Sequence, residues 1–245
     1  MKYTLYLTGG IIRDEFLGLK SKDYDYCVVV ENKEDYRNPL EAFNHFEDLI
    51  KMEGYEVFLS TPECFTIRAK FPKGHKNENL TADFVLARKE LGYIPNTRTP
   101  KVELGTLKDD MIRRDFTVNA MAKDIEGNIV DLFDGQKDLQ NKILRTPIDT
   151  AASFNNDPLR ILRAMRFAIT KGLDWSDEMW RTLDAFDANK FEVVSTERIR
   201  EELLKCFKFN TKQTFEFLRI ISLANYPLYQ ALLPDEIWLM PTTKK

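Results

Sequence analysis

Hydrophobic positions fall into two regimes along this 245-residue chain. Up to about residue 150, short apolar runs dominate and several alternate with period two. Residues 3–7, 25–30, 55–59, the alternating Phe65, Ile67, Ala69 and Phe71, and residues 82–87 read as strands, because successive strand side chains point to opposite faces. The run Cys27-Val28-Val29-Val30 is apolar on both faces, which predicts a central strand. Between these, residues 11–18 predict a short helix. Leu40, Phe43, Phe46, Leu49 and Ile50 recur at helical spacing over 39–53. From about Asn155 onward strand patterns nearly vanish. Asp157-Pro158 reads as an N-cap with Pro at the first helical position, ahead of an amphipathic segment over 159–170. Further helices are predicted over 177–188, 196–208 and 211–223, and residues 242–245 as a frayed tail. The reading is an α/β head over 1–150 and a helical domain over 151–245. Residues 89–105 carry Gly, Pro and Asn breakers without periodicity and predict a long functional loop.

Composition narrows the function classes. The formal charge of −3 marks no general polyanion binder, so RNA contact would rest on local basic patches and depend strongly on salt. No run of about 18 apolar residues exists to form a membrane-spanning helix. The N-terminal residues lack the apolar core and cleavage site of a signal peptide. Cys27, Cys64 and Cys206 are odd in number and without paired spacing, which predicts thiols in a reducing cytoplasm and no Cys-based zinc site. With His45 and His75 alone, His-centred catalysis has little to work with.

The chemistry-bearing residues begin with Asp23-Tyr24-Asp25, which opens an apolar strand just after Gly9-Gly10-Ile11-Ile12-Arg13-Asp14. Residues two apart on a strand share a face, so the two carboxylates repel unless a cation lies between them. Such hard oxygen donors suit Mg²⁺, which leaves its other positions to water and substrate phosphates. Gly-Gly permits close backbone approach to a polyanion, and a helix starting near Ile11 would aim its amides at it. The combination points to phosphoryl or nucleotidyl transfer. An EF-hand fails, because Cys and Val stand where further oxygen ligands are needed. Asp83 is either a third metal-facing carboxylate or a strand-end Asp satisfied locally. Arg113-Arg114-Asp115 reads as a solvated helix face or as a phosphate clamp, with Asp115 steadying one guanidinium while Arg114 reaches a triphosphate. Asp157 and Arg160 share a helix face, followed by Arg163 and Arg166. That face is either an internal salt bridge or a template for a base edge, with three arginines seeking an anionic partner. The charges of Glu197-Arg198-Ile199-Arg200-Glu201-Glu202, after the capping Ser195-Thr196, are predicted to buttress the Arg160 helix by ion pairing.

Taken in order, these motifs resemble those of the class II tRNA nucleotidyltransferases (CCA-adding enzymes) and the related bacterial poly(A) polymerases, from about residue 5 to about 205. The resemblance rests on Gly9-Gly10-x-x-Arg13-Asp14, Asp23-x-Asp25, Arg113-Arg114-Asp115-Phe116-Thr117-x-Asn119-Ala120, Asp134-Gly135-x-x-Asp138-Leu139, Asp157-Pro158-Leu159-Arg160 and Glu197-Arg198-Ile199-Arg200. It implies a head with a small mixed sheet and an all-helical neck. Asp23 and Asp25 would be catalytic and carry two Mg²⁺ ions, with Asp83 a third candidate ligand. Gly9, Gly10, Arg13 and Arg114 would hold the triphosphate, and Asp157 and Arg160 would read the base of CTP or ATP, with Arg163 and Arg166 nearby. Asp115, Asn119, Glu197 and Arg200 would support them. The implied reaction adds or repairs the 3′-terminal CCA of tRNA and releases pyrophosphate. A poly(A) polymerase or A-adding enzyme is the nearest alternative, and a non-catalytic nucleotide- or RNA-binding scaffold the alternative in a different class.

The sequence departs from the family pattern in three places. Asn156 stands where an acidic residue usually precedes the base-reading Asp, and Asp83 where many relatives have Glu. Relatives also continue through further helical domains that grip tRNA. The shorter chain implies an acceptor-end grip, a tail that suffices, or a partner chain or oligomer completing the site. The 89–105 loop, which in this family accompanies addition of the final A, is present.

Overall fold

A computed structural model describes residues 1–93, 100–235, 237 and 239. They form two compact units, Met1–Gln136 and Lys137–Lys245. The first contains β1 (Tyr3–Thr8), α1 (Gly10–Phe16), β2 (Tyr24–Val30), α2 (Pro39–Met52), β3 (Glu56–Thr61), β4 (Thr66–Lys70), β5 (Thr81–Leu86), β6 (Arg88–Tyr93), β7 (Pro100–Leu104), α3 (Leu107–Ile112), β8 (Met121–Lys123) and β9 (Ile129–Asp131). After α4 (Gly135–Gln140), the second contains β10 (Ile143–Leu144), α5 (Thr150–Asn156), α6 (Leu159–Lys171), β11 (Asp174–Trp175), α7 (Asp177–Asp184), α8 (Thr196–Phe209), α9 (Thr211–Ala224) and α10 (Tyr226–Leu232).

Seven strands of the head form one mixed sheet in the order β3-β4-β5-β2-β1-β8-β9. Only β2 and β5 pair in parallel; the other neighbours are antiparallel. The apolar β2 is interior, as its sequence predicts. One sheet face packs under α2. Phe43, Phe46 and Ile50 of α2 meet Val28 and Val30 of β2, Ile67 and Ala69 of β4, and Ala82, Phe84 and Leu86 of β5. Each large side chain buried there contributes about 1.5–3 kcal/mol. Asn38 starts α2 by accepting from the Glu41 amide at 3.0 Å, with Pro39 opening the helix. A smaller cluster gathers Met111 of α3 with Ala120 and Ala122.

Two expectations are corrected. The stretch predicted as a long loop over 89–105 forms an antiparallel hairpin of β6 and β7, separate from the main sheet; residues 94–99 lie outside the described residues, as do 242–245, read above as a tail. The unit boundary falls at 136/137 rather than near 150. The reason is a strand pair that periodicity could not show: Ile143 and Leu144 pair in parallel with Asp174 and Trp175, tying that stretch to the helices.

Within the helical unit, α6 buries Ile161, Leu162, Met165 and Ile169, and α8 buries Ile199, Leu203 and Cys206. Asn225 joins three segments. Its Nδ2 donates to the carbonyls of Leu183 and Phe186, at 2.9 and 2.8 Å, while its Oδ1 accepts from the Leu228 amide at 3.0 Å and caps α10.

Candidate active site

The strand period that builds the α2 core also builds the site. Tyr24, Tyr26, Ile67, Ala69, Ala82 and Phe84 point toward α2, so Asp25, Arg68 and Asp83, one residue out of phase, point to the other face. Register aligns them: Arg68 lies opposite Asp83 across β4–β5, and Asp83 opposite Asp25 across β5–β2. Arg68 Nε and Nη2 both reach Asp83 Oδ2, at 2.9 Å each. Asp23 lies one residue before β2, which begins at Tyr24. The expectation that both carboxylates sit on the strand therefore holds for Asp25 alone.

Beside Asp25, β1 ends at Thr8 and the chain turns into α1 through Gly9, at φ 77°. A Cβ at Gly9 would lie 3.0 Å from Arg114 Nη1 and 3.2 Å from Asp25 Oδ2, so this glycine alone leaves space for the carboxylate and guanidinium to flank the turn. Arg114 is held from below. Its Nε and Nη2 donate to Asp110 Oδ2 at 3.0 and 2.7 Å, and Nη2 also reaches Thr8 Oγ1 at 2.8 Å. Asp110 pairs with Arg113 as well and is completely buried. Burial alone would raise the Asp110 carboxyl, but Arg114 and Arg113 overcome it and hold the pKa down to about 2.

The clamp on Arg114 is Asp110, in the preceding helical turn. Asp115 accepts from Asn119 Nδ2 at 2.9 Å, and Asn119 Oδ1 accepts from Arg13 Nη1 at 2.5 Å. Arg13 is 7% exposed and also donates to Asp14 at 2.9 and 2.8 Å. It knits α1 to the segment after α3. Gly10 sits against it, with a Cβ there meeting Arg13 Nη2 at 3.2 Å. Asp134-Gly135 is architectural. Asp134 is left-handed at φ 60°, and a Cβ on Gly135 would lie 2.3 Å from the Thr117 carbonyl oxygen.

The electrostatics of the sheet face suit a cation. Burial first, then the neighbouring Asp83, raises the Asp25 carboxyl, with Asp23 adding to the rise and Arg114 opposing it. Asp83 is raised too, chiefly by burial, against the pull of Arg68. Among the described residues no group of three or more His, Cys, Asp or Glu is arranged to hold a metal ion. Asp23 and Asp25 remain as a two-carboxylate donor set, while Asp83 is engaged by Arg68. Hard oxygen donors with surplus negative charge fit Mg²⁺.

In the helical unit, Asp157 is extended and its carbonyl accepts from the Arg160 amide at 3.0 Å, while Pro158 already has helical dihedrals. Arg160 Nη1 donates to Ser153 Oγ of α5 at 2.7 Å. Arg163 follows on α6. Arg166 is committed elsewhere: its Nε donates to Glu202 Oε2 of α8 at 2.6 Å, and its guanidinium lies 4.7 Å from the Phe167 ring centroid. Arg166–Glu202 is an ion pair of the kind predicted between the segment after Ser195 and the arginine helix. On its own helix, Glu197 pairs with Arg200 at 3.2 Å. Thr8, Arg68, Asp110 and Ser153 were not singled out by the sequence. Only Asp110 carried a signal, its spacing of three and four from Arg113 and Arg114.

Comparison with known proteins bears on the family. The family model of the poly(A) polymerase head domain matches residues 5–145. A multifunctional CCA protein of Neisseria gonorrhoeae is 34% identical over 236 residues, covering 94% of this chain and 50% of that protein. An A-adding tRNA nucleotidyltransferase of Aquifex aeolicus is 38% identical over 167 residues, covering 66% of this chain and 18% of that protein. Among solved structures, the Thermotoga maritima CCA-adding enzyme complexed with tRNA is 25% identical with a TM-score of 0.69, covering 95% of this chain and 49% of that one. A CCA-adding enzyme with ATP is 27% identical with a TM-score of 0.71, again covering 95% of this chain and 48% of that one. The chain spans half or less of the length of each.

Proposed function

The chain belongs to the poly(A) polymerase head-domain family, and on that premise we propose that it is a template-independent nucleotidyltransferase that adds or repairs the 3′-CCA of tRNA from CTP and ATP. The observation that carries this reading is the pairing of Asp25 with the anchored Arg114 on either side of Gly9. One carboxylate at the reacting centre and one rigid guanidinium beside a bare backbone turn are what a metal-assisted triphosphate site needs. In the reaction, a terminal RNA 3′-hydroxyl oxygen bonds to the α-phosphorus while the bond to pyrophosphate breaks.

Asp23 and Asp25 are the residues that would hold Mg²⁺. When bound, the ion lowers the pKa of an attacking hydroxyl and offsets charge on the leaving oxygen. The rest of the work is positioning. Asp110 and Thr8 fix Arg114, so its remaining donor capacity can face phosphate without losing side-chain freedom on binding. Asp157 and Arg160 offer an acceptor and donors to a base edge, with Ser153 steadying Arg160; Arg163 continues that face. Arg166, paired with Glu202, serves as scaffold. Among the described residues no helix is long and apolar enough to cross a membrane.

The test is incorporation on tRNA transcripts ending before CCA, after C and after CC, with CTP and ATP supplied singly and together. Addition that stops at CCA is expected, and Asp25→Ala should abolish it while RNA binding survives. The similarity to the A-adding relative favours a second reading, in which only the transcript ending in CC is extended, by one A. Long A tails would move the assignment to a poly(A) polymerase. Turnover retained by the Asp23→Ala/Asp25→Ala double variant would overturn the metal assignment.

A further inference from the structure

Four charges stand in a row across the head sheet. Arg68 on β4, Asp83 on β5 and Asp25 on β2 occupy directly opposed register positions, and Arg114 closes the row beyond Gly9. The order is positive, negative, negative, positive. Two carboxylates opposed across neighbouring strands destabilise each other, and each end of the row supplies a counter-charge.

The arginines are not equivalent. Arg114 is buttressed by the buried Asp110, whereas Arg68 has a side chain 51% exposed and projects from β4 onto Asp83. Asp83, 23% exposed, has Oδ2 occupied by two Arg68 nitrogens. The carboxylate that register places beside Asp25 is therefore turned toward the opposite strand, and no three-carboxylate group forms among the described residues.

We infer that Arg68 is a positioning residue that holds Asp83 out of the metal's coordination, leaving Asp23 and Asp25 to bind the ion and setting its affinity. The inference rests on the functional reading above and assigns Arg68 a regulatory share in that site. Freed of Arg68, Asp83 can turn its carboxylate toward the ion, adding an oxygen donor and an uncompensated negative charge. A third ligand tightens the hold on the cation and makes it harder to exchange during turnover.

The test is Mn²⁺ binding to the whole chain, followed by electron paramagnetic resonance without nucleotide, so that the readout is affinity. Arg68→Ala should bind Mn²⁺ roughly two- to fivefold more tightly than the unaltered chain, the scale of a half-exposed ion pair. Arg68→Lys should fall between them, because an ammonium restores charge without the fork. In an Asp83→Asn background the gain from Arg68→Ala should shrink by at least half. An unchanged or weaker affinity in Arg68→Ala would overturn the inference, as would an equal gain in both backgrounds. Thermal melts of each variant distinguish loss of folding from loss of metal. If the unaltered chain binds no Mn²⁺ the functional reading falls with it; if it binds and Arg68→Ala makes no difference, the inference alone falls.

Discussion

Asp110 anchors the site residue Arg114 from inside the head. It is a fully buried carboxylate held by two guanidinium groups, and one of those belongs to the proposed phosphate clamp. Removing one partner of such a group leaves the other charges uncompensated. Asp110→Asn should therefore destabilise the head by about 3–5 kcal/mol, read from denaturant melts, and weaken nucleotide binding more than it weakens RNA binding. The pH dependence follows from the same pair. The Asp110 carboxyl sits near 2 when folded and at an ordinary 3.8 otherwise. Its contribution, about 2 kcal/mol, is fully present above about pH 4 and lost as pH falls through 2. Melts between pH 5 and 2 should show this loss, and Asp110→Asn should flatten it.

At the scale of elements, legibility followed local periodicity. The strands of the main sheet from β1 to β5, and α2, α6, α8 and α9, stood in the pattern of apolar residues, with bounds shifted by a residue or two. What failed was pairing. The hairpin of β6 and β7 has breakers at Gly92 and beyond, and its strands show no clean alternation. The β10–β11 pair is two residues per strand, too short for any period. At the site, Gly9 and Asp25 were legible from local spacing, and Arg114 from the family motif that contains it. Arg68 was not, because it meets its partner across strands at 15 residues' separation. The α6–α8 ion pair gives a testable case. Glu202 is 4% exposed and accepts from Arg166 and from Lys205 at 2.9 Å. Glu202→Ala strands the arginine against Phe167 and should cost about 3 kcal/mol in the stability of the helical unit. Calorimetry of the whole chain should show that transition moved to lower temperature while the head's transition stays.

For the whole molecule, the family match and the physical division do not coincide. The match runs to residue 145, whereas the first compact unit ends at Gln136. The stretch between includes α4 and β10, and Leu144 is fully buried within the helical unit, where β10 pairs with β11. A fragment beginning at residue 137 should melt cooperatively and at higher temperature than one beginning at 151, measured by circular dichroism. The row from Arg68 to Arg114 carries a different lesson at this scale. The two positive and two negative charges of the row cancel among themselves, leaving Asp23 as the surplus, and the row's own field falls off with distance far faster than a single charge's does. Beyond a Debye length of about 8–10 Å, an incoming polyanion meets neither attraction nor repulsion from it. Steering of RNA toward the head must then come from other surfaces, and the salt dependence of association measures those surfaces, not the row at which the phosphates finally rest.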